Sequence, residues 1–157
     1  MSFVQGLEIM ASLVFCIYLI WISWQDYIEM KVVRYSHLLG IAAIFLLVIL
    51  EKRKVCFSVK EFIFAGFVLL FLQITAYYFK LYGFADVIVL FLCGLFFLVR
   101  KGTEQYLLAY FIVQAISGTL LFGVQIFKKN VHGLKLQHPV PYIPYISVAF
   151  ILTNMVL

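Results

Sequence analysis

The chain contains two aspartates, Asp26 and Asp86, and each stands where a long apolar run begins or ends. A carboxylate next to hydrocarbon is costly to keep, so an ionisable residue at such a position is a functional candidate by default. Two carboxylates held a few ångströms apart do not ionise together easily. They would hold one proton between them and activate a water for attack on a carbonyl.

The surroundings of each aspartate offer a plainer role as well. Asp86 closes Gly83-Phe84-Ala85-Asp86, and the apolar run Val87-Ile88-Val89-Leu90-Phe91 follows it. Gly83 and Ala85 are small enough to let a neighbouring helix or an extended peptide approach closely. Equally, a carboxylate here complements the N-terminal dipole of a helix, and spacing alone leaves capping and catalysis both open. Asp26 lies in Trp24-Gln25-Asp26-Tyr27, beside an aromatic belt that includes Trp21. Taken alone it reads as an interfacial residue paired with Lys31 or Arg34, a contact worth little. A third feature is His138-Pro139-Val140-Pro141-Tyr142-Ile143-Pro144-Tyr145. Its three prolines cannot open an ordinary helix, because each removes a donor and restricts its neighbour. It reads as a rigid loop ending at a helix N-terminus, or as a shaped backbone segment serving a site.

The elements that must position these residues are apolar runs. A membrane span needs about 20 mostly apolar residues to cross about 30 Å of hydrocarbon. Six runs qualify, at about 6–24, 33–50, 62–80, 84–99, 105–127 and 140–157, separated by polar stretches. None alternates like a strand of a membrane barrel, and a lipid-facing backbone must satisfy its own hydrogen bonds, so helices are expected. The expected fold is therefore all-α, a single polytopic domain over 1–157 with six transmembrane helices. Alternation of direction puts Asp26, after the first run, and Asp86, at the start of the fourth, at the same leaflet. One aspartate on each side would have ended the idea of a pair. The basic residues do not set the orientation. Lys31, Arg34, Lys80, Lys128, Lys129 and Lys135 lie on the aspartate side, and Lys52, Arg53, Lys54, Lys60, Arg100 and Lys101 on the other.

Composition agrees with a lipid solvent. The chain is 66% hydrophobic and 12% charged, with a mean hydropathy of +1.10, more apolar surface than a small soluble domain can hide. The first run lacks the basic flank and the small-residue cleavage site of a signal peptide. The net charge of +5 falls between apolar runs, which suits lipid headgroups and not nucleic acid. Cys16, Cys56 and Cys93 form no C-x-x-C pair, so neither a disulfide framework nor a zinc site is expected.

Together these residues resemble the prepilin peptidases, membrane aspartic proteases of type IV pilin and type II secretion systems, and the related archaeal preflagellin peptidases. The features that carry the resemblance are an aspartate after the first span, a Gly-x-Gly-Asp-like motif at Gly83 to Asp86, and the late Pro-aromatic segment at Pro141, Tyr142 and Pro144. It runs from Asp26 to Tyr145. The chain departs from the family pattern at Val32-Val33-Arg34, where Ile-Pro-Asn is usual. It departs again at Ala85 for the second glycine, Ile88 for a lysine, and Ile143 for a glycine. There is no room for the cysteine-rich methyltransferase insertion of the larger members. The resemblance implies a small, peptidase-only enzyme with Asp26 and Asp86 catalytic. Gly83, Ala85, Pro141, Tyr142 and Pro144 would bind substrate, with no metal or cofactor. The implied partner is a prepilin-like precursor with a short basic leader, a cleavage site after glycine and a hydrophobic helix. The implied place is the cell membrane, with the site facing the cytoplasm. The alternatives are a small transporter subunit, for which no repeat or midplane carboxylate is seen, and an inactive scaffold.

Overall fold

A computed structural model describes residues 3–51, 59–132 and 140–156. It is all-α, with five helices: α1 (Phe3–Glu29), α2 (Ser36–Glu51), α3 (Val59–Tyr78), α4 (Phe84–His132) and α5 (Ile143–Val156). His138, Pro139 and Cys56 lie outside the described residues, as do 52–58 and 133–139. Among the described residues, two helices, Gln5–Glu29 and Lys60–Tyr78, are long and apolar enough to cross a membrane; Ser36–Glu51 and Ile143–Val156 are apolar but shorter.

Six apolar runs thus become five helices, because the fourth and fifth join into α4. The join is not a straight rod. Gly102 has φ 78° and ψ −177°, a region open essentially to glycine alone, and helical turns abut it on both sides. The chain folds back there. A Cβ added to Gly94 would lie 3.3 Å from the Tyr110 ring, and Asp86 shares a cavity wall with Gly118 and Leu121. A straight helix would hold Asp86 and Gly118 about 48 Å apart. The segments 84–101 and 103–132 are therefore antiparallel.

The segment 84–101 is the centre of the bundle. Val89, Leu90, Cys93, Phe96, Phe97 and Leu98 are all buried, and α1, α2, α3 and α5 pack around α4 or one another. An aromatic layer sets the register between α1, α4 and α5. Phe15 stacks on Phe96 at 5.0 Å, and Phe150 meets both edge-on at 5.3 and 5.0 Å. Counted from that layer at about 1.5 Å per residue, Asp26 lies about 16 Å along α1 and Asp86 about 15 Å along α4, towards the same end. The packing of three phenylalanines thus brings the two aspartates level.

Small and polar residues hold the helices close, as expected where apolar packing alone gives little preference. Gly40 of α2 lies under the Tyr18 ring, where a Cβ would sit only 2.7 Å from it, and the Tyr18 hydroxyl bonds to Nδ1 of buried His37 at 3.0 Å. Between α1 and α5, the hydroxyls of Ser23 and Ser147 meet at 2.7 Å. Gln73 of α3 donates to the Tyr110 hydroxyl, to which Gln114 also donates at 2.7 Å.

The end of the bundle away from the aspartates is tied by charge. Arg100 Nη1 lies 3.2 Å from Glu51 Oε1 and 3.8 Å from Glu8 Oε2, and both glutamates are buried. This joins the end of α2, the start of α1 and the turn at Gly102. Removing the guanidinium would strip both buried glutamates of this cation. Arg100→Leu is expected to destabilise the fold by about 3 kcal/mol, the low end for a broken buried pair because Arg100 is itself part-exposed. Thermal unfolding in detergent measures this. A variant as stable as the parent would show that the glutamates keep their charges off by other means.

Candidate active site

Each aspartate closes the N-terminus of a helix. Asp86 is the third residue of α4, and its Oδ2 accepts from the Gly83 N–H at 3.0 Å. The Gly83 carbonyl in turn accepts from Val87 N–H at 3.1 Å. This is the reaching-back half of a capping box, in which a carboxylate three residues into the helix satisfies the N–H at its cap. Gly83 is exposed and leaves space for the carboxylate, since a Cβ there would sit 3.1 Å from Asp86 Oδ2. Capping by Asp86, one of the two roles open to it from spacing, is therefore present.

Asp26 reaches across the bundle. Its Oδ2 accepts from the Ile143 N–H at 3.1 Å, and the Tyr142 N–H also donates to this carboxylate. Ile143 opens α5, whose first turn closes onto the Tyr142 carbonyl. Pro144 has no N–H to leave unsatisfied and suits a first turn. Asp26 is thus a cap supplied by a distant helix. Among the described residues it makes no ion pair with Lys31 or Arg34.

Tyr142 links the two carboxylates. Its backbone serves Asp26, while its side chain stands close enough to Asp86 to feel that charge. The phenol is fixed on two sides. Its hydroxyl meets Ser117 Oγ at 2.8 Å, and its ring stacks on Tyr82 with centroids 5.3 Å apart and planes 4° apart. Ser117 also donates to the Gln114 carbonyl at 3.1 Å. A serine has one proton, so Ser117 donates to only one of these two oxygens at a time.

The two aspartates are within electrostatic reach of each other: the charge of Asp26 acts against that of Asp86. Beside Asp86 a cavity of about 380 Å³ opens between the turn after α3, both halves of α4 and the segment before α5. Tyr82, Gly83, Gly118, Val140 and Tyr142 form much of its wall, and Lys80 stands at one side.

The sequence-derived site residues fall as follows. Asp26, Asp86, Gly83 and Tyr142 come together at this end of the bundle. Ala85 is half-buried and packs against the core. Pro141 is buried one residue before Tyr142. Pro144 lies apart from the cavity, on an apolar groove between α1 and α5 with Trp24, Tyr27 and Ser147. Ile88 lines a different groove, between α3 and α4 with Gln73, Tyr77 and Phe84. Sequence reasoning missed Ser117 and Tyr82. A serine inside an apolar run must find a partner, which signals Ser117 without naming Tyr142. No protein-family model, no curated protein and no solved structure matches this chain.

Proposed function

We propose that the chain is a six-span membrane aspartic endopeptidase of the prepilin-peptidase type, removing the short leader of prepilin-like precursors at the cytoplasmic face. The observation that carries this reading is that the chain's two aspartates lie at one end of the bundle, near enough for the charge of Asp26 to act on Asp86, with Asp86 lining an open cavity. Two carboxylates so placed hold one proton between them over some range of pH, and their titration belongs to the pair. The ionised member takes a proton from water as it attacks the scissile carbonyl. The protonated member donates its proton to the carbonyl oxygen. As the tetrahedral intermediate collapses, the first member passes the proton it took from water to the leaving amine, and the second regains one from the intermediate's hydroxyl.

The other residues divide the precursor between them. Gly83 keeps a side chain away from an extended backbone passing Asp86, while Ala85 packs on the core behind it. Tyr142 forms part of the cavity wall, and Pro141, buried just before it, fixes the backbone there. The groove at Pro144 faces outward beside Asp26 and takes the precursor's hydrophobic helix. A lipid setting is supported by the outer faces of the helices. Met10, Leu13, Ile17, Ile20 and Trp24 form an exposed stripe on α1, and Phe64, Phe67, Phe71 and Ile74 another on α3. Soluble monomers rarely show such patches.

The test is cleavage by the purified protein in detergent micelles of a synthetic precursor with a basic leader ending in glycine and a hydrophobic helix after it. The expected result is a single cut after the glycine, read by mass. An intact precursor at every pH from acid to neutral would overturn the reading and leave a transporter subunit or an inactive scaffold.

A further inference from the structure

The end of α3 is built in an unusual way. Lys80 N–H donates to the Tyr77 carbonyl at 2.9 Å and Leu81 N–H to the Ala76 carbonyl at 3.0 Å, the paired bonds of a Schellman motif. The residue at its turn, Lys80, has φ 55°. Glycine is usual there, because any Cβ is strained in the left-handed region. Met30 ends α1 in a comparable conformation, with φ 52°. The fold would be better served by glycine at both positions, so a long side chain at Lys80 is not explained by the turn.

What distinguishes Lys80 from Met30 is its place. Lys80 lines the cavity that holds Asp86, and among the described residues it is the cation of that wall and Asp86 the carboxylate. The two form no ion pair, and Lys80 makes none elsewhere among the described residues. The ammonium is therefore available to an anion entering the cavity. A cavity of about 380 Å³ is roughly 9 Å across if taken as a sphere, which an extended chain crosses in about three residues.

We infer that Lys80 is a specificity residue, recognising an acidic side chain of the substrate within about three residues of the scissile bond. This rests on the peptidase reading for its substrate, but binding can be measured apart from cleavage. A headgroup phosphate offers similar chemistry. The shared wall with Asp86 favours the peptide, which must reach that carboxylate to be cut.

The experiment uses the Asp26→Asn protein, which leaves the cavity intact, in phosphatidylcholine nanodiscs. The probes are synthetic precursors carrying Glu, Gln or Lys in turn at the positions flanking the scissile bond. At one position Glu is expected to bind about fivefold more tightly than Gln, the upper range for an exposed ion pair. Lys80→Gly should abolish that preference while raising the melting temperature by about 2–4 °C. Lys80→Glu should reverse it in favour of a Lys probe. Met30→Gly should bring a similar thermal gain and keep the preference for Glu. Equal binding of Glu and Gln probes at every position, no binding of any probe, or a preference that survives Lys80→Gly overturns the inference. So does a result in which Lys80→Gly weakens only association with phosphatidylglycerol discs, which would assign the lysine to a headgroup. A preference that depends on Lys80, with no cleavage by the parent protein, would uphold the acid-binding role and fail the peptidase reading alone.

Discussion

Asp26→Asn and Asp86→Asn are each expected to lower precursor cleavage by about 10⁴-fold, on the scale of losing a member of a coupled catalytic set. Both variants should insert and fold. Asparagine still offers a side-chain oxygen to the Ile143 N–H or the Gly83 N–H, so the caps survive while the shared proton is lost. This separates capping, which both aspartates do, from the proposed chemistry. If Asp86 only caps, its place three residues into α4 makes Gln a suitable replacement, because Glu and Gln reach back from that position. Serine does not reach from there, so a loss on Asp86→Ser would carry no weight. An Asp86→Gln protein with near-parental cleavage would take Asp86 out of the chemistry. The parent should show a bell-shaped rate against pH. At acid pH both carboxyls are protonated and no base is present. At alkaline pH both are ionised and no acid is present, so the rate falls about tenfold per unit on each limb. A flat profile, with chemistry rate-limiting, would count against a shared proton.

Gly83→Leu is expected to lower kcat by about 10²-fold with the protein still folded. A Cβ at this position would sit 3.1 Å from Asp86 Oδ2, and that oxygen is held by the Gly83 N–H itself. The carboxylate must shift as the side chain enters, and a misplacement of about 1 Å costs on this scale. Gly83→Ala should fall between the parent and Leu. Ala85→Gly should be tolerated, whereas Ala85→Leu forces bulk against the core that Ala85 packs on. Kinetics alongside thermal unfolding tell the two cases apart. Full activity for a folded Gly83→Leu protein would mean that the position of the Asp86 carboxylate is not critical.

The helices were legible in the chain because lipid-like apolar runs and polar breaks are local properties. The break at Arg100 to Glu104 shows how far that goes. Its polar residues announce a turn, but only the backbone of Gly102 shows that the runs on either side abut as one element and then fold back. Parity was legible too. Alternating direction alone puts Asp26 and Asp86 at one end, and the reversal at Gly102 keeps Asp86 and Gly118 there together.

The partners of the aspartates were not legible, because they depend on how each helix is rotated about its axis and at what height it packs. Local sequence says nothing of either. Asp26 finds the Ile143 N–H 117 residues away, where nearby Lys31 and Arg34 seemed the natural partners. The register that allows this comes from Phe15, Phe96 and Phe150, three apolar residues with no chemistry of their own. Tyr142 was visible as an aromatic between prolines, but its bond to Ser117 and its stack on Tyr82 join segments far apart in the chain. Lys80 read as one of several interfacial lysines; only the left-handed turn after α3 and the cavity beside Asp86 set it apart. Composition and period decide which segments form helices. Side-chain packing between those helices decides which two or three residues face the same cavity.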